Sequence, residues 1–453
     1  MKAPGDVLLI ACYELGHQPL AVAWPAAFLE RAGYEPAVMD IAVEPLDAER
    51  VRRARLVAIS VPMHTALRLG VGVAQRVREI NPSAHVCFYG LYATLNRDYL
   101  LGHGADSVLG GEVEHALVAL AQSLETEAPR ATAVAPILTR LDFPVPSRRA
   151  LPALKKYAQL ERDGRREVAG YVEASRGCLH LCRHCPIPPV YGGRFFAVPA
   201  DVVVADVRQL VEAGATHVSF GDPDFLNGPT HARRVGQAVH AEFPALTFDF
   251  TAKIEHLVRH AALVPEFSAL GCVFIVSAVE SLSPAVLEHL AKGHTRADVE
   301  TALRVTHAAG IALRPTWVPF TPWTTLADYR EILEFVDAEG LVDHVDPVQY
   351  AIRLLVPPGS LLADSPAMRP HLGALVAESF SYRWTHPDPR VDALAERVGA
   401  LVAESADAGE DAAVTFGRVR RLADEAAGLT PRELAAPGVE RKRPPRLTEP
   451  WFC

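Results

Sequence analysis

Three cysteines, Cys178, Cys182 and Cys185, fall within eight residues in the run Cys178-Leu179-His180-Leu181-Cys182-Arg183-His184-Cys185. Thiolates so closely spaced wrap one loop around one inorganic centre, and iron–sulfur clusters are the centres that thiolates favour. Such clusters normally take four protein ligands, yet the other cysteines, Cys12, Cys87, Cys272 and Cys453, lie far away in sequence. Three thiolates would therefore leave one iron open for chemistry. A structural zinc site normally shows two cysteine-pair halves. Here the second half is missing, and completing the site with His180 or His184 would crowd every ligand into one short loop. Disulfides suit a secreted chain, and Met1-Lys2-Ala3-Pro4-Gly5-Asp6 does not read as a signal peptide.

The chain around this loop alternates between strands and helices. Val7–Ala11, residues 37–41, 56–61, 84–90 and 106–111 read as buried strands separated by helical stretches, the pattern of a doubly wound parallel sheet over residues 1–125. No GxGxxG opens the first helix, which disfavours a dinucleotide site. Residues 126–165 are a proline-containing linker with Phe143-Pro144-Val145-Pro146. Six further strands are expected at 168–174, 217–222, 246–253, 273–280, 312–319 and 344–352, alternating with helices. They predict a partial (β/α)6 TIM-like barrel over 166–365 whose site lies at the strand C-terminal ends. The cysteine loop follows the first of these strands directly. Residues 366–453 are expected to be a helical C-terminal region.

With 453 residues, 49% hydrophobic and 22% charged, the composition is that of a globular protein of two or three domains. A net charge of −9 argues against a general nucleic-acid partner, and no apolar run is long enough to span a membrane. Seven cysteines, three of them in one loop, fit a reducing cytoplasm.

The cysteine spacing and its place after a barrel strand resemble the radical S-adenosylmethionine (SAM) enzymes, and the preceding α/β unit resembles the cobalamin-binding domain found before many of them. The resemblance implies a 4Fe-4S cluster on Cys178, Cys182 and Cys185, with SAM on the open iron and cleaved there to a carbon radical. It implies SAM contacts from His184 beside the adenine and from Gly221, Asp222 or Asp224 near the amino group. Lys253 would meet the carboxylate, with Glu280 and Ser281 by the ribose and carboxylate. Arg314 or Trp317, and Tyr350 or Arg353, would face the substrate. Each pair is an odd number of residues apart, so only one member can point inward. Possible cobalamin loops are marked by Pro19, Ser60, His64, Gly90 and Thr94, although the Asp-x-His-x-x-Gly motif is absent; His17 and His64 read as loop histidines. The implied activity is methyl transfer to a small-molecule substrate, with an electron donor such as flavodoxin or ferredoxin. A cobalamin-free enzyme moving another group, including to a metalloid, and a non-catalytic iron–sulfur or zinc protein are the alternatives. The ending Trp451-Phe452-Cys453 resembles the tails Cys-Cys-Ala-Glu-Pro and Cys-selenocysteine-Ala-Glu-Pro of a radical SAM group. It predicts a tail thiol at Cys453 and a selenocysteine codon read as a stop after it.

Overall fold

The computed structural model describes residues 1–126, 135–431 and 443–449; Cys453 and its neighbours lie outside them. The N-terminal unit is a five-stranded parallel sheet in the order Ala37–Asp40, Val7–Ala11, Leu56–Ser60, His85–Tyr89, Ser107–Leu109. Successive side chains of these strands point to opposite faces, so each strand feeds two cores. Leu8, Ile10, Val57, Ile59, Val86 and Phe88 pack with the helix His64–Ile80. Val7, Leu9, Leu56, Ala58 and Tyr89 pack with the helices Leu20–Arg31 and Glu114–Thr126. Strand order reverses between the first and third strands in sequence, so the carboxyl edge there is the expected ligand crevice.

The second sheet has seven strands in the order Ala312–Trp317, Cys272–Glu280, Thr247–Thr251, His217–Phe220, Arg165–Val172, Gln159–Arg162, Arg446–Leu447. The first five are parallel and separated by helices, giving a partial barrel. Gln159–Arg162 pairs antiparallel with Arg165–Val172, and Arg446–Leu447 pairs antiparallel with Gln159–Arg162 as a closing edge. Asp298 and Asp328 each complete a reciprocal N-terminal cap, with Thr295 and Thr325.

Two expected elements take another form. Residues 344–352 are not a sixth strand. Pro347 opens a 3-10 turn, Pro347–Tyr350, and only an isolated bridge joins Phe320 to Arg353. The Gln349 side chain accepts from the Trp317 backbone N at 2.9 Å, replacing a ladder bond that a strand would have supplied. The C-terminal region carries the helices Pro389–Asp407 and Ala412–Ala426, but within it Leu372–Val376 and Ser381–Trp384 form a hairpin. Phe380, at φ +51°, turns that hairpin into the N-terminal core.

The segment between the sheets is fastened to both. Ile137 bridges Gly111, and Ser147 N donates to Ala23 O. Arg148 is buried and reaches both oxygens of Asp206 (2.6 and 2.7 Å), Gln18 Oε1 and Tyr171 O. Arg148→Met should strand the Asp206 carboxylate in the core and lower stability by about 3–5 kcal/mol. Urea unfolding checks this, with Arg148→Lys recovering only part of the loss.

Candidate active site

The strand Arg165–Val172 ends just before the cysteine loop, and a short antiparallel pair, Ser175–Gly177 with Phe195–Ala197, sets the direction of entry. Gly177 has φ +73°, and a Cβ there would lie 2.4 Å from Arg194 O, so the turn admits only glycine. Asp222, at the end of the second barrel strand, braces the entry: its carboxylate accepts from Ala174 N (2.9 Å) and from the Ser175 hydroxyl. Asn227 Oδ1 accepts from Leu179 N at 3.2 Å and lies 3.7 Å from Cys178 Sγ.

Cys178, Cys182 and Cys185 then line one cavity of about 350 Å³ at the strand C-terminal ends. None of the three is in a disulfide. Burial, with the neighbouring thiols adding to it, raises the Cys178 thiol and pushes Cys185 up to about 12. Three thiols aimed at one spot, each opposing ionisation of the next, fit a cationic cluster that would hold all three as thiolates.

Lys292 supplies a buried positive charge beside them. Its ammonium lies 3.3 Å from Glu280 Oε1, and it is held charged against burial by Glu280, Cys182 and Cys185. Glu280 sits at φ +66°, where the register between the fourth and fifth barrel strands shifts. Such an irregularity re-aims a side chain, here into the cavity. Burial alone would raise Glu280, but Lys292 and His184 (Nε2 at 3.1 Å) outweigh it and hold its carboxyl down at about 2.

A second group runs along the cavity wall. Lys253 Nζ donates to His180 Nδ1 (3.0 Å), His180 Nε2 lies 3.1 Å from His256 Nε2, and His256 Nδ1 lies 2.8 Å from Asp224 Oδ2. The ligand atoms of His180, Asp224 and His256 lie within 4.8 Å of one another, close enough for a metal ion. The Lys253 ammonium beside Nδ1 disfavours one, because it favours the tautomer whose ring proton sits on Nε2, facing His256. The group is a chain of polar contacts from Lys253 to Asp224.

Residues 7–121 match the model for the B12 binding domain, and residues 172–336 match that for the radical SAM superfamily. The chain joins a B12-binding domain to a radical SAM domain. It is 24% identical over 325 residues to the hopanoid C-3 methylase of Methylococcus capsulatus, covering 66% of this chain and 62% of that protein. It is 26% identical over 203 residues to the ribosomal protein uS12 methylthiotransferase RimO of Paracoccus denitrificans, covering 40% and 42%. The chain thus spans less than two thirds of the length of these relatives. Two solved structures share its fold. The cobalamin-dependent radical enzyme OxsB with aqua-cobalamin bound has a TM-score of 0.68 at 14% identity, covering 88% of this chain and 67% of that one. The methyltransferase TsrM from Kitasatospora setae, with cobalamin and a [4Fe-4S] cluster bound, has a TM-score of 0.63 at 16%, covering 75% and 74%.

In the radical SAM domain, His184, Gly221, Asp222, Asp224, Lys253 and Glu280 line the cavity with the cysteines. Their partners differ from those expected. Asp222 and Asp224 are already engaged, Asp222 at the loop entry and Asp224 as a cap on Leu226 N. Ser281 is buried and accepts from Ser283 N, as a cap, instead of lining the cavity. Of the substrate-facing pairs, Arg314 lines the cavity and Trp317 belongs to the core. Neither Tyr350 nor Arg353 lines it: Tyr350 packs against Phe416, and Arg353 stacks 3.6 Å over Trp384 and pairs with Asp392. The turn that replaces the sixth strand is the cause.

In the B12-binding domain, Pro19, Ser60, His64, Gly90 and Thr94 all fall at or just beyond the carboxyl ends of the strands. Ser60 Oγ is buried with no well-aligned partner, and Gly90, at φ +111°, keeps the edge open where a Cβ would press within 3.1 Å of Val61. The Ser60 hydroxyl lies beside that of Tyr89, and the side-chain-free turn at Gly90 leaves room at this edge for a ligand such as cobalamin. His64 instead turns to Ser379 O (2.8 Å). His17 stacks on Tyr171 of the barrel with ring centroids 4.2 Å apart; burial depresses it to about 4, so its imidazole is neutral.

Sequence reasoning missed Lys292, Asn227 and His256. Lys292 had one faint signal, a lysine just after a helix and before Gly293, with Ala291 in the left-handed region at φ +55°. The ionised Glu280 contributes stability that is fully present above its ordinary value of 4.5 and is lost as pH falls toward 2. Lys292→Met should shift the acid-unfolding midpoint upward, because the carboxylate then protonates more readily; an unchanged acid limb would refute the pairing.

Proposed function

We propose that this chain is a cobalamin-dependent radical SAM methyltransferase acting on a small molecule in a reducing cytoplasm. The observation that carries the reading is a shared cavity: Leu15 and His17 of the B12-binding domain line it together with Cys178, Cys182 and Cys185. The similarity to the hopanoid C-3 methylase and to the methyltransferase TsrM supports methyl transfer as the reaction class. A three-cysteine cluster supplies an electron to SAM, and a corrin supplies a methyl carrier.

The chain's own residues position and screen. Cys178, Cys182 and Cys185 would hold the cluster, with Lys292 offsetting their negative charge. Lys253 is the cation for the SAM carboxylate, and Glu280, kept ionised, is an acceptor for its polar groups. His184 keeps a buried, unpartnered Nδ1 that can serve the adenine. Ser60 and Gly90 would receive cobalamin at the sheet edge. An electron donor such as flavodoxin or ferredoxin completes the set.

One observation favours a second reading, a radical SAM enzyme working without cobalamin. Ser379 and Phe380 of the hairpin cover His64 and Tyr99 on the B12-type edge.

Anaerobically reconstituted protein should hold about four irons and yield 5′-deoxyadenosine or a demethylated SAM product on reduction. Serine replacements of the three cysteines should abolish both, and retention of product in them would sink the proposal. Ser60→Leu should lower bound cobalamin at unchanged iron. Wild-type protein that never binds cobalamin selects the second reading.

A further inference from the structure

The cavity has two ends. At one, the cysteines, Lys253 and Glu280 are tied together through His180 and His184. The other lies deeper in the barrel, between Phe274 and Val276 of the fourth strand, Arg314 of the fifth, Asp346, and Leu447 of the closing edge strand. Val276 and Arg314 stand in register on neighbouring strands, so the arginine rises beside an apolar patch.

Arg314 is only 6% exposed at its side chain. Its Nη2 meets Asp346 Oδ2 at 3.0 Å, whereas Nη1 is buried with no hydrogen-bond partner. Arg446 approaches the other oxygen of Asp346 at 3.7 Å. Arg446 is held mainly by Glu161 at 2.8 Å, so Asp346 serves Arg314 through Nη2 alone and the Nη1 donor stays unmet. The other cations lining the cavity stand at its cysteine end, Lys292 beside Glu280 and Lys253 beside His180 and Glu255. Nearby acids do not fill the gap. Asp249 receives His217 and Ser219, and Glu449 receives the Tyr13 hydroxyl. A buried donor left unmade on a charged group is costly, and a guanidinium fork matches the planar pair of oxygens on a carboxylate or the oxygens of a phosphoryl group.

We propose that Arg314 is the recognition point for an anionic group, carboxylate or phosphoryl, on the substrate, whose apolar remainder lies against Phe274, Val276 and Leu447. This rests on the radical SAM reading for its division of the cavity. Arg314 pairs with Asp346 and stands in register with Val276, below the strand end that carries Glu280, so its anion is assigned to the second small molecule and not to SAM.

The test uses cluster-loaded full-length protein with the pairs benzoate and benzamide, phenylacetate and phenylacetamide, together with inorganic phosphate and methylphosphonate. Binding is read from the shift of the unfolding midpoint, and SAM affinity is measured separately by equilibrium dialysis. Acids or phosphoryl compounds are expected to protect where the neutral amides do not. Arg314→Met should weaken that protection about tenfold or more, with SAM affinity and iron content unchanged. Arg314→Lys, which keeps the charge but loses the fork, should weaken it severalfold and serves if the methionine variant loses iron. The proposal is overturned if no anion protects, if acid and amide protect alike, if either variant binds the acids as wild type does, or if SAM affinity falls with them. Wild-type protein that binds anions but never cleaves SAM would instead count against the proposed reaction alone.

Discussion

Three thiolates brought to one point in a buried cavity repel one another, and most of the surrounding structure answers that repulsion. Unit charges about 4 Å apart interact by roughly 4 kcal/mol at a protein-like dielectric, so an unaided trio would protonate or splay apart. Asn227 fixes the start of the loop through Leu179 N, and Arg183 N fixes its far side on Leu290 O. Lys292 supplies the opposite charge from below, and Glu280 keeps that lysine protonated despite its burial. The order of dependence matters. Glu280 is strained at its φ and burial works against its charge, yet the lysine and His184 hold it ionised.

The same loop is also the hinge between the two sheets. Arg176 stands two residues before Cys178, and its guanidinium meets Glu112 and Glu114 of the N-terminal unit and Glu173 of its own. It lies about 5 Å over the rings of Trp24 and Phe143. Three carboxylates around one guanidinium leave an excess negative charge in a nearly dry place, and Glu112 and Glu173 are both raised by burial. Such a cluster is a poor source of net stability but a strict source of geometry, because any displacement leaves a buried charge unpaired. The B12-type edge and the cysteine loop are thereby held in one frame.

What the sequence made legible follows from local physics. Buried parallel strands write themselves as short apolar runs, and the cysteine spacing is a contiguous signal, so both sheets and the loop were readable. The failures are long-range. Pro347 breaks the expected sixth strand, but that Gln349 would cap Trp317 N from that turn depends on packing across 32 residues. The hairpin at 372–384 has a strand-like pattern too short to compete with the helical stretches around it. Lys292 looks like any surface lysine until Glu280, twelve residues earlier, is turned inward by a shift of register. Parity along the fifth strand did say that only one of Arg314 and Trp317 could face inward; the choice fell to the core, which took the larger apolar ring.

The closing edge strand shows why cavity walls resist reading from sequence. Arg446 and Leu447 sit within a charged, proline-containing stretch with no strand signal of its own, yet the free edge at Gln159–Arg162 gives them a ladder to join. Once paired, alternation decides the rest. Leu447 turns inward onto Leu160, Phe274 and Val276, while Arg446 spans from Glu161 to Asp346. Those contacts join the two ends of the sheet that the missing sixth strand leaves apart. The partial barrel is thus walled by a segment nearly 300 residues away from its partner strand, with Glu449 brought against Gly16 of the B12-binding domain. A Cβ at Gly16 would fall 2.6 Å from the Glu449 side chain, so the glycine in the first loop and the acid near the far end of the described chain are fitted to each other. The shape of the substrate chamber is therefore a property of both domains and the tail together, and no one of them alone encodes it.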